Sequence, residues 1–584
     1  MSDTRATLTA DGGGNVGPPN NAAAAQGPWS ERLARWWTAT ESLLVRAGDR
    51  LNPILVKETR QALKSRQFVL TFSLVLIAVW VWTVAALTWI GPEIWYGAHG
   101  RDLFMGYFVI LCFPLTVVVP FSALRSLAGE HEERTCDLLS ITTLRPRQIV
   151  GGKLGSAALQ VLVYLSAVAP CLAFTYLLRG IDVLSIVVLV AGVSLASLGL
   201  AVIALLIGTL ASEKHWQIVL GIGAVIGLFY AFGGSIALGA VALWEEPGVF
   251  GEPYFWPAAL CMLTAFASYL ALAFLAAAAR LTFAGANRST PVRMVMLVQQ
   301  MLFVGWFAWF AARESKIPDW PEITAVCLVI VGIHWCVMGA MMTGESPELS
   351  PRVKRNLPQS LLGRAFLTWF NPGPGTGYVF AVCGFAAAAV LAATVFSLGL
   401  LADHSRWQTL PVRIPGAFPA GATPVRQDIA WTVSLFAIIL LSYLTLYLGL
   451  GLLLLRLLRR MVRVSIPGAL LVHVLLAVLG AFVPMVIQQV FGNPRYGEWS
   501  FLQITNAPWT LTYLFDRVFR PMPSTDANAV AMMLAGLALV VFVLNLPGIS
   551  REVRQVRVEK PRRVADDDAA MAPPPEPKPT SPWG

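Results

Sequence analysis

Charge is what this chain has least of: only 13% of its 584 residues are Asp, Glu, Lys or Arg, about half the share usual in soluble proteins. That scarcity excludes an ordinary soluble enzyme or binding module. Cysteine is also sparse. Of seven, six (Cys112, Cys171, Cys261, Cys327, Cys336 and Cys383) fall inside apolar stretches and none forms a C-x-x-C pair, so neither a disulfide framework nor a metal cluster is expected. The six histidines include no H-E-x-x-H spacing. His334 and His473, inside apolar runs, are expected to be core or interface side chains.

A nucleotide-binding loop is missing as well. Residues 145 to 156 read RPRQIVGGKLGS and end in a suggestive Gly-Lys. A P-loop, however, needs a Gly five positions before its second Gly and a Ser or Thr after the Lys, because backbone N–H groups wrap the phosphates and the hydroxyl binds magnesium. Arg147 and Leu154 occupy those two places. The chain is therefore expected to hydrolyse no ATP itself and to carry no cofactor.

What the sequence has in abundance is apolar residues, 56% of the total. They come in blocks of about 20 or more, the length that crosses a hydrocarbon core of about 30 Å as a helix. Twelve blocks are read, near residues 68–90, 103–124, 154–178, 183–210, 216–243, 255–279, 294–312, 321–342, 378–401, 429–455, 465–491 and 527–546. Their continuity favours helices over barrel strands, which alternate. The expected fold is an all-α polytopic transmembrane bundle of about twelve spans, preceded by an N-terminal interfacial amphipathic helix.

With the N-terminus cytoplasmic, the six outer segments hold only 10 of the 43 Lys and Arg. That bias places both termini inside, in a multi-pass protein of the cytoplasmic (inner) membrane. The net charge of +10 reads as a topology signal and contact with membrane lipid; no nucleic-acid partner is expected.

Five regions follow. Residues 1–28, rich in Gly, Ala, Asn and Pro, read as a disordered cytoplasmic tail and not as a signal peptide. Residues 29–67 hold amphipathic patterns: WSERLARWWTATESLLVRAG, and then LNPILVKETRQALKSRQ, with Asn52 as N-cap and Pro53 at the first helical position. In this second helix Ile54, Leu55, Ala62 and Leu63 are expected to face lipid while Lys57, Arg60, Lys64 and Arg66 meet phosphates. Residues 68–280 form one six-span domain, 281–546 a second, and 547–584 a basic and then Pro-rich tail. The Pro- and Gly-rich inner loop 343–377 and the aromatic outer segment 492–526 belong to the second domain.

The most informative stretch is the inner loop between the second and third spans, SLAGEHEERTCDLLSITTLRPRQIVGGKLGSA. It has an acidic run, an apolar pair, a Pro-marked turn and a basic entry into the third span. The pattern predicts a short amphipathic helix parallel to the membrane. Glu133, Thr135, Asp137, Leu138 and Leu139, then Thr143, Leu144, Pro146, Arg147, Ile149, Gly152, Lys153 and Leu154, stand in the order in which the first cytoplasmic loop of type-2 permease subunits of ATP-binding-cassette transporters reads E-x-G-T-L-E/D-L-L and then T-P-x-S-x-R/E-x-I-x-x-G-K-L. This chain resembles that family over about residues 52 to 280, with Arg134 and Cys136 departing from the usual Gly and Leu. NPILVKETRQALKSR is similar to the family's elbow helix.

The resemblance implies a permease that works with a separate cytoplasmic ATPase subunit, which would supply ATP-Mg and dock on the loop. Glu133, Asp137, Leu138, Leu139, Arg145 and Arg147 would form that interface, and Lys57, Glu58 and Arg60 the elbow. Gly151 and Gly152 would be the hinge into the third span, with Lys153 anchored at lipid phosphates. Either one chain or a homodimer would complete the pathway. The middles of the spans hold no Asp, Glu, Lys or Arg, only Gln160, Gln299, Gln300, Gln488, Gln489, hydroxyls and the two histidines, which suits an external ATPase better than an ion gradient. The alternative reading is a non-transporting membrane scaffold or assembly factor with the same fold; a lipid-modifying enzyme has less support still.

Overall fold

The computed structural model describes residues 52–132, 144–210, 214–245, 248–283, 285–313, 320–360, 362–364, 368–402, 424–462, 464–491, 499–518, 525–559 and 561–571. The described residues contain helices and no strand. Twelve helices among them are long and apolar enough to cross a membrane, and each overlaps one of the twelve apolar blocks. A polytopic all-α bundle is what the composition requires, since helices satisfy every backbone polar group within themselves.

The first element among the described residues is α1 (Pro53–Lys64), and the face of the bundle on which it lies is the N-terminal face. The first crossing is α2 (Arg66–Ile90). The second is α3 (Gly100–Phe113), a π-helical turn that begins at Pro114, and α4 (Val119–Glu132). The wide turn has a local cause, because Pro114 and Pro120 lack the N–H groups that an unbroken α-helix would use. The third crossing, α5 (Pro146–Leu177), has 32 residues. Then come α6 (Val183–Leu210), α7 (Lys214–Ala240) and α8 (Phe255–Leu281).

The second half starts with α9 (Thr290–Arg313) and α10 (Trp320–Met342), followed by the short α11 (Pro351–Arg355). Next come α12 (Pro374–Ala402), α13 (Pro424–Leu458) and α14 (Ile466–Phe491). The aromatic segment before the last crossing is described over residues 499–518. It forms α15 (Ala507–Val518), held by stacking of Trp499 on Tyr513 with ring centroids 4.8 Å apart and by donation from Trp499 Nε1 to Thr510 Oγ1 at 3.1 Å. The last crossing is α16 (Thr525–Val553). Beyond it, within the basic and then Pro-rich tail, Arg562–Ala570 forms an exposed helix, α17. RRVADDDAA contains no Gly or Pro and sets Arg562 and Arg563 four residues before Asp566 and Asp567, a spacing that supports a helix.

Two apolar clusters organise the bundle. The larger part of one comes from α2 to α6, with Tyr107, Phe108, Leu115 and Tyr164 at its centre. The other comes from α8 to α10, α12 and α13, around Trp335, Tyr378, Phe385 and Phe436. Lipid is as apolar as these side chains, so close packing and interhelical hydrogen bonds must hold the helices together. The glutamines supply such bonds. Gln300 accepts from Trp335 Nε1 at 2.9 Å and donates to the Gly384 carbonyl at 2.9 Å, linking α9, α10 and α12. Across the seam between halves, Gln299 donates to Ser268 Oγ at 3.3 Å and Trp306 Nε1 to Thr264 Oγ1 at 2.8 Å.

The histidines behave as core side chains. His334 Nδ1 lies 2.9 Å from the Tyr269 hydroxyl, and His473 Nδ1 lies 2.8 Å from the Ala469 carbonyl. Among the described residues no group of His, Cys, Asp or Glu could hold a metal ion.

Candidate functional site

The loop proposed to receive a partner lies between α4 and α5. Glu133, Asp137, Leu138 and Leu139 fall outside the described residues, as does the amphipathic stretch 29–51. The two roots of the loop are described. Arg145 and Arg147 are exposed, and the chain enters α5 through Pro146, with the Arg145 N–H donating to Gln148 Oε1 at 2.9 Å. At 32 residues α5 is about 48 Å long. That exceeds the hydrocarbon thickness and leaves its first turns, with Arg147 and Lys153, at the membrane edge.

Two sequence expectations about these turns are corrected. Gly151 and Gly152 do not make a turn into the third crossing, because α5 runs unbroken through both. The requirement at Gly152 is space: a Cβ there would lie 2.8 Å from Ile54 Cγ2, and one at Gly155 would lie 2.7 Å from Leu55 Cδ1. Lys153 likewise does not reach out to lipid phosphates. Its side chain is 2% exposed, and its ammonium sits 3.1 Å from Glu58 Oε1 and 2.9 Å from Glu130 Oε1.

Those contacts define a node joining three elements. Glu58 comes from α1, Ser126 and Glu130 from α4, and Lys153 from α5. Lys153 Nζ also donates to Ser126 Oγ at 2.6 Å, and the Ser126 hydroxyl donates in turn to Glu58 Oε2 at 3.1 Å. Burying an ammonium is tolerable only when its N–H groups all find partners, and here carboxylates and a hydroxyl surround it.

Two of the elbow's apolar side chains correspondingly face the bundle and not lipid. Ile54 is buried and Leu55 half-buried against α5, and the Asn52 side chain caps the helix by accepting from the Ile54 N–H at 3.1 Å while donating to the Gln148 carbonyl. Lys57, Arg60, Lys64 and Arg66 do remain exposed. Of Lys57, Glu58 and Arg60, Glu58 alone turns inward.

A second node at the same face escaped the sequence reading. Arg293, at the start of α9, is 1% exposed. It pairs with Glu345 Oε2 at 2.7 Å and donates to the Trp369 carbonyl. Glu345 also accepts from Ser289 Oγ at 2.5 Å and from the Gly373 N–H at 2.8 Å. Beside it the Glu552 carboxylate accepts from the N–H groups of Gly375 (2.9 Å) and Thr376 (3.0 Å) at the N-terminus of α12, where the helix dipole favours an anion. Arg459 donates to the carbonyls of Thr343 at 2.6 Å and Glu345 at 3.0 Å; burial pushes its pKa below the ordinary arginine range, and the Glu552 charge opposes that. The Pro- and Gly-rich segment 343–377 is thus stitched to α9, α13 and α16. A single charge at the rim of an apolar run was the only available signal for Arg293 and Glu552.

Comparison of the chain with family models, with curated proteins and with solved structures finds no match.

Proposed function

We propose that this chain is the membrane-spanning permease subunit of an ATP-binding-cassette transporter of the type-2 class, moving an amphipathic substrate with ATP hydrolysed by a separate cytoplasmic subunit. In this reading the N-terminal face is cytoplasmic, both termini lie inside, and the membrane is the cytoplasmic (inner) one. The observation that carries the proposal is the Lys153 node. Lys153 is 2.9 Å from Glu130 on one root of the loop and, itself on the other root, 3.1 Å from Glu58 of the elbow. A force that arrives at the roots of the loop is therefore shared by the elements the node joins. It reaches α4, α5 and α1 together, and α5 is an unbroken rod that carries it through the bundle. Arg145 and Arg147 are exposed, and in this reading they would meet carboxylates on the ATPase.

Arg145→Glu with Arg147→Glu tests this, in the full chain co-expressed with a candidate cassette ATPase. The double reversal is expected to abolish co-purification and transport while leaving the thermal unfolding midpoint of the isolated chain unchanged, because neither side chain is packed. Retained association and transport would overturn the assignment of the loop. Association without transport by the unaltered pair would favour a scaffold instead.

A further inference from the structure

At the N-terminal face the seam between the two halves encloses a cavity of about 510 Å³, within the size range of small-molecule sites. Its two ends differ in chemistry. At the membrane edge stand Arg280, at the end of α8, and Arg288, just before α9. Towards the bundle interior the wall is apolar, made by Ile203 and Leu206 of α6, Met296 of α9 and Met338 of α10. Tyr269 marks the far end of the lining on α8, about 16 Å along that helix from Arg280. Ile203 is 49% and Tyr269 48% exposed, so the apolar end opens sideways towards lipid.

The charges at the mouth lack counter-ions. The Arg280 side chain makes no hydrogen bond or ion pair among the described residues, and its Nε is buried without a partner. Arg288 donates to the Thr282 and Phe283 carbonyls at the end of α8 but to no carboxylate. Burial, and then the neighbouring Arg280 charge, push Arg288 below the ordinary arginine range. Of the carboxylates lining the cavity, Glu345 is already engaged by Arg293, Ser289 and Gly373. Glu348 lies exposed at the rim and forms no ion pair among the described residues. Two clustered guanidiniums facing one free carboxylate leave a site short of negative charge.

We infer that this cavity binds one anionic phospholipid, its phosphate between Arg280 and Arg288 and one acyl chain along Leu206, Met296 and Met338 towards Tyr269. Basic pockets between membrane helices suit such headgroups. A free phosphate leaves the apolar channel unused, and a zwitterionic lipid brings its own cation to a mouth that already has too many. At 510 Å³ the cavity takes the headgroup phosphate and the upper part of one chain; the rest lies in the bilayer. The inference does not depend on whether the chain transports anything. A lipid seated here would bridge α6, α8, α9 and α10 and so fasten the two halves together at one face.

The test is native mass spectrometry and thermal unfolding of the full chain in detergent, with added dioleoyl-phosphatidylglycerol, dioleoyl-phosphatidylcholine or inorganic phosphate. Phosphatidylglycerol is expected to bind at one-to-one stoichiometry and raise the unfolding midpoint, with phosphatidylcholine and phosphate doing neither. Arg280→Gln should weaken phosphatidylglycerol binding by about tenfold or more. It should not lower the midpoint measured without lipid, because it removes an orphaned charge. Arg288→Gln in addition should deepen the loss, and Ala276→Phe, which fills the cavity from α8, should abolish binding with both arginines intact. Arg313→Gln at the opposite face serves as control and should bind as the unaltered chain does. Equal protection by inorganic phosphate, equal binding of phosphatidylcholine, or unchanged phosphatidylglycerol binding by Arg280→Gln would each overturn the inference.

Discussion

Lys153 Nζ lies 3.1 Å from Glu58 Oε1, so two residues 95 positions apart are joined by a buried ion pair that fixes the elbow to the third crossing. With Glu130 the cation has two carboxylates for one charge, and removing Lys153 leaves both without it. Lys153→Met is expected to destabilise the fold by about 3–5 kcal/mol, the usual consequence of breaking a buried pair from one side. Neutralising the carboxylates as well, with Glu58→Gln and Glu130→Gln added, should recover most of the loss, because no uncompensated charge remains. Thermal unfolding in detergent measures both. An unchanged midpoint for Lys153→Met would show that the node contributes no stability.

The elbow's seat can be tested separately from its charge. A side chain at Gly152 has no room while Ile54 Cγ2 stands 2.8 Å from where its Cβ would be. Gly152→Val should displace α1 and cost about 1–3 kcal/mol as overpacking does, in spite of the better helix propensity of Val over Gly. Ile54→Ala in the same chain should return part of that loss. A cysteine pair introduced between α1 and α5 and cross-linked in membranes would report displacement directly. Equal cross-linking with and without Gly152→Val would count against the packing explanation.

Much of the architecture was legible because the bilayer imposes a length that sequence displays openly. The twelve apolar blocks, including the boundary at Val183–Leu210, follow from charge-free runs alone, and Asn52-Pro53 announced the start of α1. The node was not legible for a related reason. A lysine at the start of an apolar run normally reads as an anchor in the headgroups, and only the packing of α1 against α5 turns Lys153 inward. Gly152 similarly reads as a turn when only its neighbours in sequence are known. Its cause, the methyl groups of Ile54, arrives from 98 positions away. Arg293, Glu345 and Glu552 were hidden for the same reason, being partners that three different elements bring together.

On the opposite face Asp182 caps α6. Its carboxylate accepts from the Ser185 N–H at 3.0 Å and from the Ser185 hydroxyl. Burial works against the charge, yet the hydrogen bonds from Ser185 hold the carboxyl below its ordinary value of 3.8. The folded pKa is depressed, so the unfolded chain binds the proton more readily and stability rises with pH across that interval. The cap's contribution is therefore complete above 3.8 and is lost as pH falls through the folded value. Asp182→Ala should lower stability by about 1 kcal/mol at neutral pH, as loss of an N-cap does. The gap between the two proteins should close on acidification below 3.8. A gap independent of pH would mean that the charge has no part in the cap.

The Trp335–Gln300–Gly384 chain asks whether a polar residue in the apolar core of the second half stabilises it or merely satisfies its neighbour. Trp335 is 1% exposed and donates to Gln300 Oε1 at 2.9 Å, and Gln300 Nε2 donates to the Gly384 carbonyl at 2.9 Å. Gln300→Leu strands the indole N–H and frees a carbonyl, so a loss of about 1–3 kcal/mol is expected. Trp335→Phe removes the donor and some ring volume, and costs stability through the space it opens between α10 and α12. The two losses should not add. Interhelical hydrogen bonds within membranes couple by about 0.6 kcal/mol on average and 1.7 at most, so the double variant should be more stable than the sum of the single losses implies by an amount in that range. Strict additivity would mean that the N–H finds another acceptor once Gln300 is gone, and that the glutamine serves α12 through Gly384 and not α10 through Trp335.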